Sequence, residues 1–195
     1  TATEKSAKRL KKIGLKKNVF NVGSLSIENI QKFNFLSFEK FLEKIDFDVR
    51  KLFFIVTFHS ETLKDDFGIN DFQELLASVK EFKEYDFIFT SPNPDYGGLE
   101  IIKSIKKFIK DNPKNNFYVP SFGRNLFLSA AKLSCGVIGN SSSGIIEIPS
   151  LNICTINIGK RQDGREKAIS VIDCEPKKDA IIKSIRKISI KRIYP

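Results

Sequence analysis

The stretch GVIGNSSSGIIEIPSLNICTINIGKRQDGRE, Gly136 to Glu166, sets three serines and a glycine between apolar runs and ends among arginines. A strand closing at Ile138, a serine loop and a helix opening at Gly144 expose free backbone amides at a positive helix end, with hydroxyls as extra donors. Glycine at 144 lets the backbone approach a ligand. That arrangement suits an anion; it equally suits a plain helix N-cap, with Ser142 or Ser143 bonding a backbone amide. The loop is neither a Walker loop, lacking GK[ST], nor a G-x-G-x-x-G fingerprint. Glu147 follows one turn later, where a carboxylate can accept from two vicinal hydroxyls such as a ribose offers. Its other reading is a capping-box partner for Ser143 or Gly144.

Other polar residues fall where they could join this loop. His59 is the single histidine of the chain and follows the apolar run KLFFIVTFH (51–59). An imidazole there can donate to a phosphate or move a proton near neutral pH. Arg161 and Arg165 could neutralise a diphosphate. Phe122 could pack on a base or in the core, while Phe127 is expected to face the core.

These groups need a scaffold that brings them together. Apolar runs of strand length alternate with amphipathic segments: KLFFIVTFH, DFIFTSPN (86–93), NFYVPS (116–121), CGVIGN (135–140), CTINIG (154–159) and SVIDC. Between them lie helical patterns over NDFQELLASVKEF (70–82, capped by Asn70 or Asp71), GGLEIIKSIKKFIKDNP, RNLFLSAAKLS, SGIIEIPSL, a helix around REKAI, and a last helix at about 177–190. Upstream, a helix carrying Ala7, Leu10 and Ile13 precedes a short β-rich run NVFNVG (18–23), and SIENIQKF and SFEKFLEKI each begin with a serine that can cap. Continuous apolar strands alternating with helices predict an α/β fold, a Rossmann-like parallel sheet sandwiched by helices. Ligands of such sheets bind outside the carboxyl ends of the strands. His59, Asn93, Asp95, Ser121, Phe122, residues 140–144 and Arg161 all fall on that edge.

Composition narrows the classes. The chain has 195 residues, 41% of them hydrophobic, enough for a substantial core. Its net charge of +10 is dispersed as lysine pairs on solvated helix faces, so no nucleic-acid partner is expected. No apolar run reaches the ~18 residues of a membrane span, and the opening TATEKSAKRL is not a signal peptide. Cys135, Cys154 and Cys174, about 20 residues apart, fit neither a disulfide framework nor a zinc site; reduced, cytoplasmic thiols and no metal are expected. The chain contains no methionine and opens in a helix-like pattern, which fits a piece of a longer protein.

VIGNSSSGIIEIPSL followed by TINIGKRQDGRE resembles the UDP-N-acetylglucosamine 2-epimerase family, particularly its hydrolysing branch in bacterial sialic- and legionaminic-acid biosynthesis. ATEKSAKRL, VGSLSIENI, VTFHSET, SPNPDYGG and VPSFGRNLFLSAAK agree in the same order, so the resemblance covers nearly the whole chain. It implies a two-domain fold of glycosyltransferase B type, residues 1–23 being the tail of an otherwise absent N-terminal domain and 24–195 the C-terminal nucleotide-binding domain. His59 would then touch the diphosphate and assist departure of UDP. Asn93 would lie near the sugar nucleotide, and Ser121 and Phe122 would meet uracil largely through backbone atoms. Ser141 and Ser142 would bind the diphosphate, with Ser143 and Gly144 shaping the loop; Glu147 would hold the ribose and Arg161 the same pocket. The acid and base residues would belong to the absent half. No cofactor or metal is implied, and the full-length protein would be a cytoplasmic homodimer acting on a UDP-sugar. A GDP-linked sugar, a related glycosyltransferase and a non-catalytic binding module are the competing readings.

Overall fold

The computed structural model describes residues 1–50 and 52–193, with side chains through residue 188. Lys51, at the head of the first expected strand, residues 194–195 of the expected 24–195 domain, and the side chains at 189 and 190 of the expected last helix lie outside what is described.

The chain divides into two compact units, Thr1–Asn34 and Phe35–Pro195. The first holds α1 (Glu4–Lys12) and α2 (Leu25–Gln31). Thr3 caps α1 by accepting from the Ser6 amide at 3.2 Å, with Glu4 in the first turn and lysines in the last, as the helix dipole favours. The expected β-rich run at 18–23 forms no strand. No strand exists in this unit to pair with it; instead the terminal ammonium donates to Phe20 O and the Val22 amide to Thr1 O. Asn18 and Gly23 adopt positive φ, which breaks any extended run. Helix α2 also begins earlier than its sequence suggests: Ser24 is the N-cap and makes no side-chain cap bond, so Ser26 lies inside the helix.

The second unit carries α3 (Phe38–Leu42), β1 (Phe53–Thr57), α4 (Ile69–Val79), β2 (Asp86–Thr90), α5 (Gly98–Asp111), β3 (Asn116–Val119), α6 (Gly123–Leu133), β4 (Gly136–Gly139), α7 (Ser143–Ile146), a 3-10 turn (Ile148–Leu151), β5 (Thr155–Ile158), β6 (Val171–Cys174) and α8 (Lys178–Ile193). All strands are parallel, in the order β3-β2-β1-β4-β5-β6. Ile55 of β1 lies beside Ile88 of β2 on one side and Val137 of β4 on the other. The order reverses between β1 and β4, so a crevice opens at their carboxyl ends.

Strands β1, β2, β4 and β5 are buried along their whole length, which is why they read as unbroken apolar runs rather than alternating ones. Phe54, Val56, Phe87 and Phe89 face one helical layer with Leu75 of α4, Ile101 of α5 and Ile185 of α8. The alternate residues face the other layer, where Phe53 stacks on Phe41 of α3 at 5.8 Å. Two caps differ from expectation. Helix α4 is capped by Gly68 at φ 78 rather than by Asn70 or Asp71, and Asp66 accepts from the Gly68 and Asn70 amides at 2.9 and 3.1 Å. The amide of Gly68 and then that of Asn70 hold the Asp66 carboxyl below its usual range. Ser37 does cap α3, accepting from the Lys40 amide.

The helix expected around REKAI is absent. Gly164 turns at φ 79, Ile169 is fully exposed, and Lys167 pairs instead with Asp163 and Asp173. With no apolar face to bury, the segment has nothing to hold a helix.

The crevice depends on close backbone approach. A Cβ at Gly139 would lie 1.9 Å from Thr57 O, and its φ is +142. Gly139→Ala is expected to lower unfolding stability by about 3 kcal/mol or more in urea titration. Gly123→Ala, at φ +62 with nothing within 4 Å of the added carbon, should lower it by only about 1 kcal/mol. Equal losses would contradict the close-approach account.

Candidate functional site

Asn140 sits at the reversal point and is fully buried. Its side-chain Oδ1 accepts from the His59 amide at 2.7 Å and its Nδ2 donates to His59 O at 2.8 Å, joining the ends of β1 and β4. Its backbone carbonyl accepts from Gln162 Nε2 at 2.7 Å and Arg161 Nη1 at 3.1 Å. One asparagine thus fixes the histidine backbone and the loop after β5 together.

His59 is only 8% exposed. The Asn93 amide donates to its Nδ1 at 3.0 Å. A backbone N–H cannot accept, so Nδ1 carries the lone pair and the proton resides on Nε2. Burial, and then the positive charge of Arg161, push the imidazole pKa down to about 4 against a smaller opposing pull from Asp95. At neutral pH His59 is therefore an uncharged donor, which favours donation over proton transfer. Asn93 is held by its own loop, since Gly98 packs so tightly that a Cβ there would lie 2.7 Å from Asn93 O. Beyond His59, Lys64 bridges Glu61 at 3.2 Å and Asp71 of α4, tying the following loop down.

An open cleft of about 390 Å3 lies over these strand ends. It brings together His59, Asn93, Ser121, Phe122, Ser141, Ser143 and Glu147 among the sequence-derived candidates. Ser142, Gly144 and Arg161 are not on its wall. Ser142 is the N-cap of α7 and makes no side-chain cap bond. Gly144 is packed tightly against β5: a Cβ would lie 2.8 Å from Thr155 Cγ2, and Thr155 Oγ1 donates to Gly144 O at 2.6 Å. Arg161 is occupied with Asn140 O, behind the serine loop.

The serine loop itself differs from the expected helix end. Helix α7 is a single turn, so little dipole accumulates, and donors come from the hydroxyls and the amides ahead of the first internal bonds. Ser141 and Ser143 hydroxyls lie 3.0 Å apart, facing the cleft as a pair. The side-chain-cap and capping-box readings fail, because no side chain caps α7. Glu147 instead lines the cleft.

Phe122 is 9% exposed, with its ring 6.1 Å from that of Phe41, so the core reading holds for the ring, and the residue also lines the cleft. Phe127, expected in the core, is half-buried on the cleft wall. Helix α6 starts at Gly123, which sets Arg124 and Phe127 three residues apart on one face. Arg124 was not among the sequence candidates, nor were Thr57, Thr90 and Ser91. Thr57 and Thr90 hydroxyls bond at 2.8 Å across β1 and β2, and Ser91 bonds Tyr118 OH at 2.6 Å, giving the cleft a hydroxyl floor. Their signal in the sequence is position alone: each hydroxyl residue ends or follows an apolar strand. Among the described residues, no group of three or more His, Cys, Asp or Glu could hold a metal ion, and no helix is long and apolar enough to cross a membrane.

Comparison with known proteins bears on what such a cleft serves. The profile of the UDP-N-acetylglucosamine 2-epimerase family matches residues 1–194. The chain is 42% identical over 187 residues to the Escherichia coli polysialic acid biosynthesis protein P7, covering 95% of this chain and 47% of that protein. It is 36% identical over 170 residues to the Campylobacter jejuni GDP/UDP-N,N'-diacetylbacillosamine 2-epimerase (hydrolyzing), covering 86% of this chain and 44% of that one. The chain thus spans about half the length of the curated relatives it matches. Its fold is that of one half of the Methanocaldococcus jannaschii UDP-GlcNAc 2-epimerase solved with UDP-GlcNAc and UDP (TM-score 0.70, 17% identity, 96% of this chain and 53% of that one).

The His59 assignment has a measurable consequence. Its folded pKa of about 4 lies below the unfolded value near 6.5, so the unfolded chain binds the extra proton between those values. Its contribution, on the order of 3 kcal/mol, is fully present above pH 6.5 and disappears as pH falls to about 4. His59→Gln should flatten that part of the stability–pH profile, and imidazole NMR should show the proton on Nε2 at pH 7. A histidine titrating near 6.5 would contradict the account.

Proposed function

Because this chain belongs to the UDP-N-acetylglucosamine 2-epimerase family, we propose that it is the nucleotide-diphosphate-binding half of a hydrolysing UDP-N-acetylglucosamine 2-epimerase. The complete enzyme converts UDP-N-acetylglucosamine to N-acetylmannosamine and UDP. A base removes the C2 proton while UDP departs from C1, giving a 2-acetamidoglucal; water then adds across the double bond and releases the free sugar. Residues 1–23 are the tail of the first domain of a two-domain fold of glycosyltransferase B type, and the acid and base lie in the part of the enzyme beyond this chain.

The observation that carries this reading is the cleft at the β1/β4 reversal, lined by His59, the Ser141–Ser143 hydroxyl pair and the Glu147 carboxylate. The diphosphate lies against Ser141 and Ser143 and the amides of Ser142 and Ser143. His59 donates Nε2–H to it, its tautomer fixed by Asn93. Arg161 and Gln162 act from behind by holding Asn140, and the guanidinium adds positive potential. Charge grows on the diphosphate as the C1–O bond breaks, so donors fixed in advance stabilise the transition state more than the bound sugar nucleotide. Glu147 accepts from the ribose hydroxyls, and the base reaches the 121–122 backbone. The Campylobacter relative, named for GDP as well as UDP substrates, supports a second reading in which the leaving group is GDP.

Calorimetric titration of the 195-residue chain tests the assignment of the two ends. Ser141→Ala should weaken UDP and pyrophosphate alike, by about tenfold, the loss of one hydrogen bond to a charged group. Glu147→Ala should weaken UDP by a similar factor and leave pyrophosphate unchanged. Loss of pyrophosphate binding in the Glu147 variant, or of neither ligand in the serine variant, would overturn the roles. With the complete enzyme, release of N-acetylmannosamine distinguishes the hydrolysing epimerase from a transferase.

A further inference from the structure

Arg124 enters the cleft from the first turn of α6. The turn before it is sharp: Gly123 sits at φ +62 and donates its amide to Ser121 Oγ at 3.0 Å. The guanidinium is exposed and has no hydrogen-bond or ion-pair partner among the described residues. Phe127, one turn on, presents a half-buried ring on the same wall. In this it differs from Arg161, which is already bonded to the Asn140 carbonyl.

The nucleotide reading assigns the serines and His59 to the diphosphate and Glu147 to the ribose. What remains for the base is the end of the cleft formed by Ser121, Arg124 and Phe127. We propose that Arg124 is a specificity residue that selects keto-bearing bases, so that the cleft takes uridine and guanosine diphosphates and rejects cytidine and adenosine diphosphates. This inference rests on the reading of the cleft as a nucleotide site. An arginine has five donors and no acceptor. Position 4 of uracil and position 6 of guanine carry carbonyl oxygens that accept from it, and guanine adds N7 for a two-point contact. Cytosine and adenine carry amino donors at those positions, and a donor facing a donor leaves both unpaired. The Phe127 ring supplies a stacking face indifferent to base identity. A single exposed side chain thereby separates keto from amino bases while tolerating both ring sizes.

Titration of the 195-residue chain with UDP, GDP, CDP, ADP and pyrophosphate, repeated with Arg124→Ala and Arg124→Gln, tests this. The native chain should bind UDP and GDP at least about tenfold more tightly than CDP and ADP, the discrimination of one good arginine–base contact. Arg124→Ala should bring those ratios close to one by weakening UDP and GDP, and leave pyrophosphate binding unchanged. Arg124→Gln, whose amide can turn either oxygen or nitrogen toward the base, should recover part of the affinity for CDP and ADP. Ratios that survive in Arg124→Ala, or equal weakening of all four nucleotides and pyrophosphate, would overturn the proposal; the latter would make Arg124 a phosphate contact. If pyrophosphate binds and none of the nucleotides does, the nucleotide reading of the cleft fails, and the selectivity inference with it.

Discussion

Everything at the carboxyl edge of the sheet hangs on the pair of hydrogen bonds between the Asn140 side chain and the His59 backbone. Beyond Thr57 and Gly139 the neighbouring strands no longer pair, and the chain must send two segments in opposite directions. A carboxamide carries an N–H donor and a C=O acceptor on separate atoms and so bridges that gap as a peptide group would. Fully buried, it leaves no room for a partly satisfied substitute, because each unpaired atom would incur the desolvation penalty of a lost hydrogen bond. Gly139 completes the constraint by letting the β4 backbone come against Thr57 O. The position of His59, the path of the serine loop and the anchoring of Arg161 all follow from this joint.

The electrostatic design follows from the same joint. Burial first, and then the charge of Arg161, keep His59 neutral, with Nδ1 committed to the Asn93 amide and the proton on Nε2. The site therefore offers an anion fixed dipoles and hydroxyls, with one guanidinium behind the loop and another, Arg124, free in the cleft. Such donors need no reorganisation as negative charge develops, which suits the diphosphate departure we propose. A net charge of +10 on the chain adds a favourable long-range field for an anionic ligand.

Much of this was legible in the sequence, and the exceptions share physical causes. Strands buried on both faces declare themselves as unbroken apolar runs, so the α/β architecture could be read from residues 53–57, 86–90 and 155–158 without further help. Segments whose fate depends on a neighbour could not. The run at 18–23 has β-type residues and no partner strand within its unit. The segment at 165–169 has helix formers and no surface to bury. Residues ending a strand are ambiguous for the same reason: Thr57 looks like core until the reversal in strand order makes it a cleft floor. The serine loop stood out by type, whereas Arg124 was hidden among 33 basic residues, and only the start of α6 at Gly123 turns it into the cleft.

The central claim is that one ligand spans the reversal point from the serine loop to the start of α6. The most direct measurement is amide NMR of the 195-residue chain during titration with UDP. The account predicts concerted shifts at the amides of Ser141 to Ser143, at Asn93 through its bond to His59, and at residues 121–124, with one common affinity. Shifts confined to the groove between α4 and α5 around Gln73, Lys80 and Lys107 would contradict it, as would separate affinities for the two ends of the cleft.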